Sequence, residues 1–302
     1  MVTEISTTTP RLAHFEQLLR DDCALPANEP PDELAVELSG WLGSSDPHQR
    51  ADVAYTLLST WVRRGVYDDL LSGLGDGMVT ALRRGLGEDG TDTVFRRSSS
   101  ALLLAKAITR DTQADLLHPA TVIGWGDRAL SWLVRERDLR GWVPGKDWAH
   151  AVAHGAELVL ALAMSRHCED GELTVLLDTV ADRLLEPTDY RLVHAEDDRL
   201  AYATMGVLHR GLLGMEVLGP WLERVASGWQ SDEAAPRERD VVAYNCSSYL
   251  RALHSQLQLG VRPLDTVRAS GHFHRPIEVR IELLGALARA LRTTAQVYEP
   301  PK

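Results

Sequence analysis

Cysteine, basic charge, strand signals and long apolar runs are all scarce in this chain of 302 residues, and each shortage closes off a class of protein. The three cysteines, Cys23, Cys168 and Cys246, lie far apart and form neither a disulfide framework nor the paired spacing of a zinc site. They suit a reducing, cytoplasmic setting, with Cys168 and Cys246 as small buried hydrophobes. A net charge of -11 argues against a nucleic-acid partner, because phosphate binding needs a basic face. No apolar run approaches the roughly 20 residues that span a bilayer, so no membrane partner is expected. The opening MVTEISTTTPRL lacks the basic and apolar regions of a secretory signal. Gly-rich phosphate loops, a G-x-G-x-x-G turn and a G-x-S-x-G elbow are missing too, which removes the commonest nucleotide and hydrolase motifs.

What is present is helical periodicity. Hydrophobic residues make up 44% of the chain, enough for a sizeable core. In DPHQRADVAYTLLSTWVRRG, Asp46 and Pro47 suit a helix start, Val53, Leu57, Trp61 and Val62 form an apolar stripe, and Gly65 ends it. Similar patterns predict helices near 31–43, 66–86, 93–110, 118–138, 147–166, 171–186, 196–214, 217–229, 238–259 and 276–296. The expected fold is all-α: an irregular α/α superhelix of antiparallel helix pairs (HEAT-like), or alternatively a compact helical domain. The expected organisation is an N-terminal segment to residue 30, one domain over 31–296 and a short tail. SDEAAPRERD, residues 231–240, is the nearest thing to a linker.

The best candidate for chemistry is DWAHAVAHGAE, residues 147–157. Read as a helix, it places Asp147, His150, His154 and Glu157 within an arc of about 80°. Two histidines four residues apart can reach one metal ion, but Ala151 stands where the zinc-protease motif has its catalytic Glu. Glu157, His194, Glu196 or His209 can supply a third ligand. No cofactor is expected, and a divalent metal on His150, His154 and Glu157 is the minority reading. The alternatives are a metal-free polar pocket and histidines packed for structure alone.

The preceding segment RERDLRGWVPGKD adds Asp138, which can orient an imidazole or pair with Arg140, and Arg140, which can clamp an anion. Gly141, Pro144 and Gly145 predict a tight turn delivering Trp142 and Lys146 to the helix start. Arg135 and Arg137 read as a solvated cluster at a helix end. Arg97, with Ser98 and Ser100, is a second polar cluster that can face the same pocket. AEDDRLAYA, residues 195–203, offers Asp198 and Arg199 for an ion pair with a neighbouring helix, and GHFHRP, residues 271–276, has two exposed histidines.

VFRRSSSALLLAKAITRD, RDLRGWVPGKDWAHAVAHGAELV, AEDDRLAYA and YLRALHSQL occur in that order. Together they resemble the bacterial domain-of-unknown-function family 2785 over roughly residues 90–260. Against the family pattern, Asp147 replaces Gly, Ser99 replaces an aromatic and Glu157 replaces Asp. The resemblance implies a helical-repeat-like fold and no particular activity. Two functional expectations follow. In the first, a pocket binds a small or anionic ligand and turns it over by acid–base chemistry, with His150, His154 and Asp138 catalytic and Arg140, Trp142, Trp148, Arg97 and Glu157 holding the ligand. In the second, a helical scaffold takes a protein or peptide on a concave face.

Overall fold

The computed structural model describes residues 10–229, 236–262, 273 and 275–294. Helices α1 (Pro10–Arg20) and α2 (Pro31–Trp41) come first. A π-helical segment (His48–Tyr55) then runs directly into α3 (Thr56–Arg64), which ends on Gly65 in the left-handed conformation. A 3-10 turn (Asp68–Leu70) leads into α4 (Leu71–Ala81), followed by α5 (Thr93–Ala114) and α6 (Pro119–Arg135). A hairpin of two-residue strands, β1 (Trp142–Val143) and β2 (Asp147–Trp148), interrupts the helices before α7 (Ala151–Ala163). The rest is α8 (Asp170–Leu185), α9 (Glu196–Arg210), α10 (Met215–Ala226), α11 (Pro236–Leu259) and α12 (Arg280–Thr294).

The fold is all-α, and its helices alternate between two layers. Helices α5, α7, α9 and α11 pack successively against one another, while α4, α6, α8, α10 and α12 form a second series. This order follows from helices that are each apolar on more than one side. In α7, Ala151, Val152, Ala153, Gly155, Ala156 and every residue from Leu158 to Ala163 are buried, so it sits between neighbours. Gly155 admits Leu133, and Gly206 on α9 admits Leu160 of α7: a Cβ at either glycine would lie 2.5 or 2.6 Å from the leucine.

Several boundaries differ from the sequence reading. The segment before residue 31 contains α1, whose Phe15 is fully buried against Trp41 edge-on, so it joins the core. The predicted helix over 147–166 starts only at Ala151, because 147–148 pair in the hairpin. Of the linker SDEAAPRERD, residues 231–235 lie outside the described residues and α11 begins at Pro236. The histidines of GHFHRP lie outside them as well. Cys23, Cys168 and Cys246 are buried and free, and burial pushes the Cys168 and Cys246 thiols up to about 11 and about 12, so both behave as apolar fillers.

One buried ion pair organises the centre. Arg97 on α5 and Glu136, just past α6, are both fully buried and joined by two hydrogen bonds, at 2.6 and 2.8 Å. The Arg97 guanidinium also donates to the Arg84 and Gly85 carbonyls and to Thr93 Oγ1. The Glu136 carboxylate further accepts from Trp132 Nε1 and from the Arg137 and Asp138 amides. Arg183 on α8 donates to the carbonyls of Leu133, Val134 and Glu136, the open end of α6. Arg97 is therefore fully engaged and does not face a ligand, contrary to the expectation from its neighbouring serines. Glu136→Ala strands a buried guanidinium and is expected to cost about 3–5 kcal/mol, read by urea unfolding. Arg97→Met/Glu136→Leu should recover part of that loss; a single-variant loss under about 1 kcal/mol would contradict this account.

Candidate functional site

From Glu136 the chain runs straight into the predicted site. Asp138 is fully buried and pairs with Arg140, whose guanidinium bonds both carboxylate oxygens at 2.7 and 2.8 Å and donates to the Thr91 carbonyl. Arg140 thus ties the loop to the start of α5, and its pairing with Asp138 is one of the two roles the sequence offered for that carboxylate. Arg97 and Arg140 share one feature: each guanidinium is matched bidentately by a carboxylate of its own chain.

The hairpin follows as the Pro-Gly pattern predicts. Lys146 N–H closes the turn on the Val143 carbonyl at 3.0 Å, and Gly145 takes positive φ. Trp142 pairs with Trp148 across the strands, and their rings meet edge-on at 5.0 Å. Both remain exposed, at 50% and 40%. Arg50, from the π-helical segment, donates to the Lys146 carbonyl at 2.5 Å and stacks over Phe95, which fixes the tip of the turn. Lys146 itself is bound by Asp92.

Asp147 and His150 adopt left-handed backbone conformations, with φ of 64° and 51°. Such conformations are costly for residues with a Cβ and persist where surroundings enforce them. Here the Ala149 and His150 amides bond the Gly141 and Arg140 carbonyls, which extends the hairpin pairing and turns His150 into the residue that precedes α7. The single-face helix reading is therefore corrected: Asp147 is off the helix, His150 caps it, and His154 and Glu157 alone lie on it.

Three imidazoles gather beneath Trp148. Its ring lies 4.1 Å from His150 and 5.4 Å from His194, and His150 lies 6.0 Å from His154 and 6.3 Å from His194. His154 Nδ1 faces the Ser98 carbonyl at 3.2 Å, an acceptor only, so Nδ1 carries the proton and Nε2 is left as acceptor. His194 Nδ1 contacts the Tyr190 hydroxyl at 3.0 Å, which accepts from the Gly141 amide. Asn245 on α11 holds this loop through the Leu192 amide and Tyr190 carbonyl. Gly141 is needed for closeness: a Cβ there would sit 2.3 Å from His194 Nδ1. Glu196 accepts from the His194 amide, and burial pushes its carboxyl upward.

Glu157 is bound by Arg199 at 2.8 Å and by Lys106 at 3.7 Å, which joins α5, α7 and α9 across one edge of the cluster. The ion pair expected of Arg199 is thus present, and Glu157 is its partner. Burial, with the positive charge of Arg199 nearby, holds His150 down to about 3 and His154 down to about 4. His150 Nε2 and Glu196 Oε1 are buried here with no hydrogen-bond partner among the described residues, and Glu196 Oε1 lies 3.8 Å from His194 Nδ1.

Of the expected site residues, the structure brings together Trp142, Trp148, His150 and His154, with Glu157 at the rim. His209 lies at the far end of α9, bonded to the Arg275 carbonyl. No group of three or more His, Cys, Asp or Glu disposed to hold a metal occurs among the described residues. Sequence reading missed Tyr190, Glu136 and Asn245. Glu136 sits in the run RERD, where its surrounding arginines disguise it as a solvated charge.

The fold is all-α, with a tryptophan–histidine cluster formed where the hairpin before α7 meets α7 and the loop before α9. The chain belongs to the family described as protein of unknown function (DUF2785), whose model matches residues 82–254. That span contains every residue of the cluster. No curated protein and no solved structure matches the chain. No helix among the described residues is long and apolar enough to cross a membrane.

Two predictions concern this geometry. Both histidines ionise near 6.5 when unfolded and far lower when folded, so folding releases protons. Their contribution is complete above about pH 6.5 and is lost as pH falls toward 4, on the order of 2 kcal/mol per histidine by pH 5. Urea unfolding should show this loss, and His150→Gln/His154→Gln should flatten it; a wild-type slope equal to the variant's contradicts the assignment. Gly141→Ala should cost on the order of 1–3 kcal/mol by overpacking against His194, read as a lowered Tm.

Proposed function

We propose that the chain binds a small, uncharged, polar ring-bearing molecule on the cluster of Trp142, Trp148, His150, His154 and His194. The observation that carries this reading is the contact of the exposed Trp148 ring with His150, whose buried Nε2 has no hydrogen-bond partner among the described residues. Apolar faces beside unsatisfied polar atoms suit a sugar or flat heterocycle, which stacks on indole and hydrogen-bonds at its edge. The charge balance favours a neutral ligand over an anion, because Arg97, Arg140 and Arg199 are all matched by carboxylates.

Neutral imidazoles also supply specificity. His154 presents Nε2 as a fixed acceptor, so a ligand hydroxyl or N–H is favoured, and a ligand lacking polar groups also leaves the buried His150 Nε2 unpaired. Acid–base turnover is the weaker part of the reading, since an imidazole near 4 is a poor base at neutral pH. A divalent metal or a peptide partner has less support: the first lacks a third ligand among the described residues, and the second rests on the tryptophans alone.

A panel of monosaccharides, disaccharides and nucleosides, screened by thermal shift and saturation-transfer NMR, tests this. A hit should weaken at least tenfold in Trp148→Ala and in His154→Ala, with both variants folded by circular dichroism. Equal binding by wild type and Trp148→Ala would overturn the proposal.

A further inference from the structure

The ring protons of the tryptophan–histidine cluster are ordered as well as its rings. His154 Nδ1 donates to the Ser98 carbonyl, so Nε2 of that neutral ring is a bare acceptor. His194 is set the other way. Its Nδ1 lies 3.0 Å from the Tyr190 hydroxyl, and that hydroxyl already accepts the Gly141 amide at 2.8 Å. A hydroxyl donates as well as accepts, and His194 Nδ1 is the one acceptor that Tyr190 meets among the described residues. The neutral His194 ring then carries its proton on Nε2, a donor that no group among the described residues engages. Glu196 does not reverse this. Its Oε2 is taken by the His194 amide at 2.7 Å, and its Oε1 stands 3.8 Å from His194 Nδ1, beyond hydrogen-bond length.

Tyr190 is held in place from several sides. Thr188 Oγ1 accepts its amide, and the buried Asn245 donates to its carbonyl while accepting the Leu192 amide. Ala195, between His194 and Glu196, has a φ of 63°, a third left-handed residue with a Cβ around this cluster after Asp147 and His150. Such conformations are costly, persist only where the surroundings enforce them, and gather at functional sites.

Building on the ligand reading above, we infer that Tyr190 is a positioning residue: it locks His194 as an Nε2–H donor to complement the His154 acceptor. The molecule stacked on Trp148 is then a lactam-type heterocycle, with a carbonyl oxygen beside a ring N–H, as in a pyrimidine or purine base. Locked tautomers discriminate only among ligands whose own donors and acceptors are fixed. A sugar hydroxyl rotates to donate or accept and gains nothing from the two locks. A lactam edge cannot rotate, and it asks for one donor and one acceptor. His150 adjoins both rings, at 6.0 Å from His154 and 6.3 Å from His194, and Trp148 lies 4.1 Å from His150 and 5.4 Å from His194. Donor, acceptor and stacking face therefore belong to one cluster.

The test has a ligand-free half and a ligand-bound half, both on the full chain. Ring-¹⁵N correlation spectra above neutral pH should show His194 as the Nε2–H tautomer and His154 as the Nδ1–H tautomer. Tyr190→Phe, folded by circular dichroism, should let His194 mix its two tautomers and leave His154 unchanged. A wild-type His194 protonated on Nδ1, or one unmoved by Tyr190→Phe, would overturn the lock. The probes are uracil, 1,3-dimethyluracil, which keeps both carbonyls and loses both N–H groups, and D-glucose, read by isothermal titration. Uracil should bind at least tenfold tighter than either of the others, and Tyr190→Phe should shrink that ratio at least threefold. Equal binding of uracil and 1,3-dimethyluracil would overturn the ligand class. Trp148-dependent binding of D-glucose without binding of uracil would also overturn it, while leaving the broader reading of the cluster intact. Uracil binding unchanged in Trp148→Ala would overturn both.

Discussion

The buried pair of Arg97 and Glu136 is the constraint on which the rest of the centre depends. Two ions out of water persist only when each is saturated by hydrogen bonds, and here both are. The saturation has a directional result. Glu136 binds the amides of residues 137 and 138, so α6 must stop there and the chain must turn outward. Asp138 with Arg140, anchored on Thr91, then fixes the next stretch, and the hairpin follows at a determined angle. A site on a loop becomes rigid because charges hidden behind it leave the loop one path.

The same economy of charge shapes the chemistry of the cluster. Three arginines around the histidines are each met by an acid: Arg97 by Glu136, Arg140 by Asp138, Arg199 by Glu157. What remains around Trp148 is the His150 and His154 imidazoles, which burial keeps neutral, His194 beside them, and the indole faces themselves. Such a surface recognises shape and hydrogen-bond pattern rather than charge. The left-handed backbone at Asp147 and His150 belongs to this arrangement, since it is what swings His150 under Trp148 while α7 begins one residue later.

The helices were legible in the sequence because they are long and periodic. Asp46, Pro47 and Gly65 do bound a helical run, although its first part is π-helical, a distinction that side-chain pattern does not encode. The family membership was carried by long ordered motifs, and the matched span agrees with them. Trp142, Trp148, His150 and His154 were identified as neighbours by proximity in the chain. Their geometry was not, because helical periodicity from 147 ignores strand pairing between residues four or six apart, and the hairpin wins through the Pro144-Gly145 turn. The pairing of Arg97 with Glu136 spans 39 residues, and a single sequence holds no signal for which acid a given arginine meets. Asn245 and Tyr190 were missed for the same reason: their roles arise only where α11 meets the loop before α9.

The most direct measurement is the titration of individual histidines by NMR on ring-labelled protein, assigned with single His→Gln variants. The account predicts that His150 and His154 stay neutral down to at least pH 5 and that His154 carries its proton on Nδ1, seen as a slowly exchanging ring N–H. Titration of either residue near pH 6.5, with an averaged tautomer, would show a solvated imidazole and contradict the site as described.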